Sequence, residues 1–568
     1  VRNYNKKWNK KQRKWEKPIT GGLTMDAVFT MPEPKNEPTL NYAPGTEARE
    51  KLKQAVDKVY NEKIEIPLII GGKDVKTGDT AEAVMPTEHS RVLATFHRAG
   101  EKEINEAVQA AAEAKSEWED MDWADRAGIM LKAAELITDK YRYEVNAATM
   151  LGQGKSAHQS EIEAIMELAD FLRFNAKYME EIYTRQPRSV KGVYNRMEYR
   201  PLEGFVLAIT PFNFTAIGGN LPTAPAVMGN TVIWKPATTA VLSNYYVMRI
   251  LQEAGLPDGV INFLPAKGSQ LGKVLFPNPD LAGIHFTGST GVFQKMWKSI
   301  GENIENYKSY PRIVGETGGK DYMVVHKSAA CWMEEMKTAI IRAAYEYQGQ
   351  KCSALSRLYV PESVWADMEP GLLELVKGIK MGDVRDFSNF VNAVIDESSF
   401  DDIMSYIDHA DKSDEAEILA GGKGDKTKGY FVEPTVIKTT NPYFKTMQEE
   451  IFGPVLTVYV YPDDEYEKCL ELCDKTSPYG LTGALWSRDR AALNKGMKKL
   501  RHTAGNFYIN DKPTASIVSQ QPFGGARGSG TNDKAGSFMN LMRWTSARAI
   551  KETFVPPEEY RYPFMDAK

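Results

Sequence analysis

Apolar residues along this chain fall into two alternating rhythms from about Thr46 onward. Residues 102–119 place Ile104, Val108, Ala111 and Ala112 at three- and four-residue intervals, and residues 126–137 repeat this with Ile129, Ala133, Leu136 and Ile137. That spacing draws one apolar stripe down a helix. A longer helical pattern runs from Ser156 to about Ile182. Val190–Arg200 alternates with a period of two, which predicts the strands of a hairpin set off from its surroundings. Short, wholly apolar runs follow at 205–209, 231–234, 259–264 and 283–287, with helical patterns at 242–254, 269–275 and 291–300 between or after them. Strand, turn, helix, strand is the order of a doubly wound parallel sheet. After Tyr322 the order restarts through 333–347, 357–361, 456–461 and 504–509, which predicts a second α/β domain. No internal repeat or low-complexity block interrupts it.

Composition narrows the function class. The 568 residues are 42% hydrophobic and 26% charged, an ordinary globular balance. The 71 basic and 75 acidic residues leave a net charge of −4, so no basic field suits nucleic acid. No apolar run approaches the roughly 18–20 residues of a spanning helix. Four cysteines are too few for a disulfide framework and point to a reducing compartment. Seven scattered histidines, with no HExxH or CxxC pattern, argue against a zinc site. The first 17 residues carry eight Lys or Arg and one acid, Glu16, and read as a solvated tail. They are Lys- and Asn-rich and lack Ser, a poor fit to a transit peptide, and Met25 is a candidate start.

Several short segments carry chemistry. In Phe286-Thr-Gly288-Ser289-Thr-Gly291 a strand ends and a helix begins, leaving backbone N–H groups that suit a pyrophosphate. Lys235-Pro236 puts a cation at a carboxyl strand end, where ligands of such sheets bind. Cys352, in Gln-Gly-Gln-Lys-Cys-Ser, is a candidate nucleophile, its thiolate favoured by Lys351 and nearby N–H groups. The alternative is a buried structural thiol; Cys331, between Ala-Ala and Trp332, looks like core, and Cys469 and Cys473, one helical turn apart on a predicted helix face, are assigned no chemistry. Glu316, among glycines in Gly-Glu-Thr-Gly-Gly-Lys, is a candidate general base or a solvated turn residue. Asn213, in Thr-Pro-Phe-Asn-Phe-Thr, has apolar neighbours, and its amide can donate to an oxyanion.

From roughly residue 40 to its end, the chain resembles the aldehyde dehydrogenase superfamily. The motifs are Pro-Phe-Asn213, Trp-Lys235-Pro, Phe-Thr-Gly288-Ser289, Glu316-Thr-Gly-Gly-Lys and Gly-Gln-Lys-Cys352. Gln448-Glu-Glu450-Ile-Phe452-Gly-Pro and Pro522-Phe523-Gly-Gly525 complete the set. Asn213-Phe-Thr-Ala-Ile-Gly-Gly-Asn220, Phe174-Asn-Ala-Lys177, Ser519-Gln-Gln-Pro-Phe523 and Ser529-Gly-Thr-Asn-Asp-Lys534 are similar to its pyrroline-5-carboxylate dehydrogenase branch, in stand-alone form. The resemblance implies an α/β fold of two doubly wound parallel-sheet domains with an oligomerisation element. It implies an N-terminal extension over 1–40, an NAD-binding domain over 41–186 and 204–320, and a catalytic domain over 321–534. The oligomerisation element would be 187–203 and 535–568.

It also implies NAD-dependent oxidation of L-glutamate γ-semialdehyde to L-glutamate, the second step of proline breakdown. Cys352 would attack the aldehyde, Asn213 hold the oxyanion and Glu316 activate water. Ile209, Pro211, Lys235, Gly288, Ser289, Glu450 and Phe452 would bind NAD. Thr238 stands where close relatives often carry an acid that disfavours a 2′-phosphate, and NAD is still expected over NADP. Glu167, Ser353, Ala515, Ser516 and Phe523 would bind substrate, with Ala515 replacing a family glycine. The implied assembly is at least a homodimer, in the cytoplasm or, alternatively, the mitochondrial matrix. Competing readings are a dehydrogenase for another semialdehyde, an acyl transfer to coenzyme A, and a catalytically inactive structural homologue.

Overall fold

Residues 30–565 are described by a computed structural model, so the readings of the basic N-terminal segment and of Met25 lie outside the described residues. Two seven-stranded sheets organise the chain. The first is built from Phe205–Ile209, Thr231–Lys235, Ile261–Phe263, Leu281–Thr287 and Arg312–Glu316, all parallel, with Leu68–Ile70 and Lys73–Val75 added antiparallel at one edge. Runs such as Phe-Val-Leu-Ala and Thr-Val-Ile-Trp are buried along their whole length. A parallel sheet covered on both faces requires that.

The first parallel strand, Phe205–Ile209, has Thr231–Lys235 on one side and Leu281–Thr287 on the other. The winding reverses there, and the carboxyl ends of the strands splay into a crevice. Register sets what lines it. Lys235 pairs with Ile209, Ile209 with Phe286, and Thr287 with Glu316. Four segments that read separately in sequence thus share one edge of one sheet.

In the second sheet Asp321–Val325 lies between Leu355–Pro361 and Thr482–Trp486. Val455–Tyr461, Thr435–Thr439 and Ala416–Ala420 extend one side and Asn506–Ile509 the other. Only Ala416–Ala420 runs antiparallel. Residues 317–320 therefore step directly from the carboxyl edge of the first sheet to the amino edge of the second. Cys352 precedes the strand adjoining Asp321–Val325.

The helical expectations are met by Glu101–Asp120, Trp123–Thr138, Val241–Ala254 and Thr290–Glu302. The long pattern forms Ala157–Tyr183, but its second turn, Glu161–Glu167, is a π-helix. The expectation for Val190–Arg200 needs correction. It holds a single strand, Val193–Arg200, whose partner is the distant Ser546–Thr553, paired antiparallel over its full length. Alternation identifies a strand but not what lies beside it.

Candidate active site

The crevice at the carboxyl edge of the first sheet holds a cleft of about 880 Å³. Ile209, Pro211, Asn213, Lys235, Gly288 and Ser289 line it from the first sheet, and Cys352, Glu450 and Phe452 close it from the second. Phe212, Phe286, Val292 and Met296 supply apolar wall. Ser289 is the N-cap of helix Thr290–Glu302 and makes no side-chain capping bond, so that helix opens into the cleft with its first N–H groups. Lys235 forms no ion pair among the described residues, and burial pulls its pKa down.

Cys352 is delivered by a constrained turn. Tyr347 and Gln348 lie in the left-handed region at φ 53° and 56°, followed by Gly349 at 67°. A side chain on Gly349 would lie 2.2 Å from the Gly453 carbonyl oxygen, so glycine is required there. Left-handed non-glycine residues persist only where surroundings over-determine them. Here the Gln348 amide donates to the carbonyls of Gly154 and Ala393, both at 2.8 Å, and accepts from Asn392 N–H at 3.0 Å. Asn213 Nδ2 donates to the Gln350 carbonyl at 3.1 Å, tying the amide to the Cys352 loop.

Glu316 stands at the end of its strand and accepts from Gly525 N–H at 3.2 Å. Between Glu316 and the second sheet, Gly319 N–H donates to Glu450 Oε1 at 2.9 Å. The glycines are dictated by crowding. A Cβ on Gly318 would lie 2.2 Å from Glu450 Oε2, and one on Gly319 2.1 Å from the Cys352 carbonyl oxygen.

The aldehyde dehydrogenase family profile matches residues 74–550. The chain belongs to the aldehyde dehydrogenase family. It is 54% identical over 542 residues to the mitochondrial delta-1-pyrroline-5-carboxylate dehydrogenase of Dictyostelium discoideum, covering 95% of this chain and 97% of that one. Its identity to the human mitochondrial protein of the same name is 49% over 531 residues, covering 93% and 94%. The crystal structure of the Mycobacterium tuberculosis delta-pyrroline-5-carboxylate dehydrogenase bound with NAD superposes with a TM-score of 0.92 at 48% identity, covering 96% and 100%.

In this aldehyde dehydrogenase the thiol environment differs from expectation. Lys351 turns its ammonium to Glu346, which it bonds at 3.1 Å. Burial pushes the Cys352 thiol well up, and Asp321, Glu316, Glu450 and Glu167 add to the shift. The same burial raises those carboxyls, Glu316 strongly, Asp321 and Glu167 to about 8, Glu450 to about 7. Desolvation is the first cause of the shift in each of these carboxyls.

The substrate-end residues are less closely gathered. Ser353 is buried beside Cys352, and Glu167 closes the π-helical turn within electrostatic reach of the thiol. Ser516 donates to the Gln521 carbonyl at 2.7 Å, and Phe523 pairs with Ala535. None of Glu167, Ser353, Ala515, Ser516 and Phe523 lines the cleft described above. Sequence reasoning missed Lys155, Glu163, Glu346 and Gln348, which brace the loop. A lone buried ion pair leaves no periodic signal.

Proposed function

We propose that this chain oxidises L-glutamate γ-semialdehyde to L-glutamate with NAD, by covalent catalysis at Cys352. The observation that carries the reading is the meeting, in one cleft at the seam of two sheets, of Cys352 and Asn213 with the dinucleotide-end residues. The names of the relatives supply the substrate.

The residues present suit a dinucleotide. The cleft offers apolar walls, an open helix N-terminus and an unpaired ammonium at Lys235. Ile209, Pro211, Lys235, Gly288, Ser289, Glu450 and Phe452 would hold it. NAD, when bound, supplies the acceptor for the hydrogen leaving the aldehyde carbon. Cys352 gives its proton to solvent water at the mouth of the cleft, and the resulting thiolate sulfur attacks that carbon. One Asn213 N–H is spent on the Gln350 carbonyl, and the other is free to steady the oxyanion. After oxidation the substrate is a thioester on Cys352. Glu316 takes a proton from water, which attacks the thioester carbon, and the sulfur leaves with the bond electrons. Glu167 would meet the substrate ammonium, Ser353, Ala515 and Ser516 its carboxylate, and Phe523 its methylenes.

We also propose a homodimer or larger homo-oligomer through the ribbon Val193–Arg200/Ser546–Thr553, supported by the exposed Val190, Tyr194, Phe554 and Val555 along it. No helix among the described residues is long and apolar enough to cross a membrane. For the compartment we favour the mitochondrion, in line with the second reading, since relatives are named mitochondrial. The test of the function is NADH formation from glutamate semialdehyde by the wild type and by Cys352→Ala. Activity lost in the variant supports the mechanism; activity retained, or none in the wild type, overturns it.

A further inference from the structure

Lys155 has no part in the chemistry above, yet its side chain is wholly buried. Its ammonium bonds Glu163 Oε1 at 2.8 Å, with the two side chains 0% and 2% exposed. Two aromatic rings complete its surroundings: Nζ lies 4.2 Å from the centre of Phe214 and 4.3 Å from that of Tyr347. Such contacts are attractive because the ring face is electron-rich.

The four groups come from places that matter. Phe214 follows Asn213. Tyr347 opens the left-handed turn that delivers Cys352. Glu163 spends its second oxygen on Ala216 N–H at 3.0 Å, in the first turn of helix Thr215–Val227. Gly154, just before Lys155, accepts from Gln348. The dipeptide 154–155 thus holds both left-handed residues of the nucleophile turn, one through a carbonyl and one through an ammonium. The π-helical turn lets Glu163 reach inward while Glu161, two residues earlier, serves Arg142, Asn146 and Tyr42. A buried ion pair is a poor stabiliser beside an apolar filling of the same volume, so its use here calls for a geometric role.

We propose that Lys155 and Glu163 form a positioning pair that fixes the amide of Asn213 and the sulfur of Cys352 at the separation the oxyanion needs. The ammonium grips Phe214 and Tyr347 together, and so joins the first sheet's side of the site to the second's. Across the same seam, Asn213 donates to the Gln350 carbonyl, Gln348 donates to the Gly154 carbonyl, and Phe212 meets Phe452 edge-on. The inference rests on the roles proposed for Cys352 and Asn213.

Two variants test it. Lys155→Met/Glu163→Gln removes both charges at nearly constant volume. Phe214→Leu removes one ring and leaves the ion pair. Catalysis falls steeply with misplacement on the ångström scale, so kcat should drop roughly 100-fold in the double variant and roughly tenfold in Phe214→Leu. The Kd for NADH, read by protein fluorescence, should stay within about twofold, since the dinucleotide end is untouched. Alkylation of Cys352 by iodoacetamide should change rate in both, a readout that needs no substrate. A merely structural pair would lower Tm but leave kcat per folded enzyme and alkylation rate at wild-type values, and that overturns the proposal. If the double variant does not fold, Phe214→Leu decides by the same two readouts. Wild-type enzyme inactive toward the semialdehyde would count against the proposed function, while the alkylation rates would still judge the pair.

Discussion

A single methyl group at Gly319 measures how tightly Cys352 is held. A Cβ there would lie 2.1 Å from the Cys352 carbonyl oxygen and 2.5 Å from Asp321 Oδ2. Ordinary contact begins at 3.4 Å, so backbone at Cys352 must retreat by about 1.3 Å. That carbonyl cannot move so far without carrying the sulfur. An ångström of misplacement costs about 100-fold in rate, or ~2.7 kcal/mol of transition-state stabilisation. Overpacking adds about 1–3 kcal/mol of lost stability, too little to unfold most proteins. Gly318→Ala is the internal control. Its Cβ meets the end of the Glu450 side chain at 2.2 Å, and a carboxylate can swing aside. Gly318→Ala should raise the KM for NAD with less than about a tenfold fall in kcat, because it disturbs a ligand-end group and not the sulfur. The assay is steady-state NADH formation on protein shown to unfold cooperatively, with iodoacetamide inactivation in parallel. Gly319→Ala with kcat within about threefold of wild type, or Gly318→Ala the slower of the two, would refute the reasoning.

Three other outcomes follow from the site. Glu316→Gln should give one burst of NADH per site and then turn over about 10²–10⁴-fold more slowly, because thioester hydrolysis loses its base; a first turnover slowed as much as the steady state would remove that role. Asp321 is buried and pushed up to about 8 from a usual 3.8, so the folded state keeps a proton that the unfolded state sheds. Wild-type stability should therefore fall as pH rises between those values, Asp321→Asn should lack that loss, and chemical denaturation across the range giving parallel profiles would contradict it. Glu167→Ala should raise the KM for glutamate semialdehyde with little change in kcat, and unchanged kinetics would discard its contact with the substrate ammonium.

Much of the candidate site was legible because its residues sit in short motifs at strand ends. Trp-Lys235-Pro and Phe-Thr-Gly288-Ser289 could each be read as a strand followed by a ligand-facing turn, and register then sets Lys235, Ile209, Phe286 and Thr287 along one edge. Glu316 was found as a carboxyl among glycines, but its strand, Arg312–Glu316, was not, since Gly315 breaks the apolar run and the pairing with Leu281–Thr287 is the tertiary cause of that strand. The thiol environment was misjudged. Proximity in sequence suggested that Lys351 would help Cys352, whereas the fold turns that ammonium to Glu346 and surrounds the sulfur with carboxyls. Charge partners are chosen by three-dimensional packing, and sequence distance does not report it.

By itself the amino-acid pattern determined the α/β class, several strands of each sheet and the main helices between them, because each depends on local periodicity, while the candidate reactive groups come from short motifs that resemble a known family. The tertiary structure alone decided that Val193–Arg200 pairs with Ser546–Thr553, that a π-helical turn aims Glu163 inward, and that Lys155 is caged between Phe214 and Tyr347. The strand pairing and the ring contacts join segments far apart in the chain, and the π-helical turn is held by what Glu163 meets inside. Their energy comes from the desolvation and pairing of groups that meet only once the whole chain has closed around them.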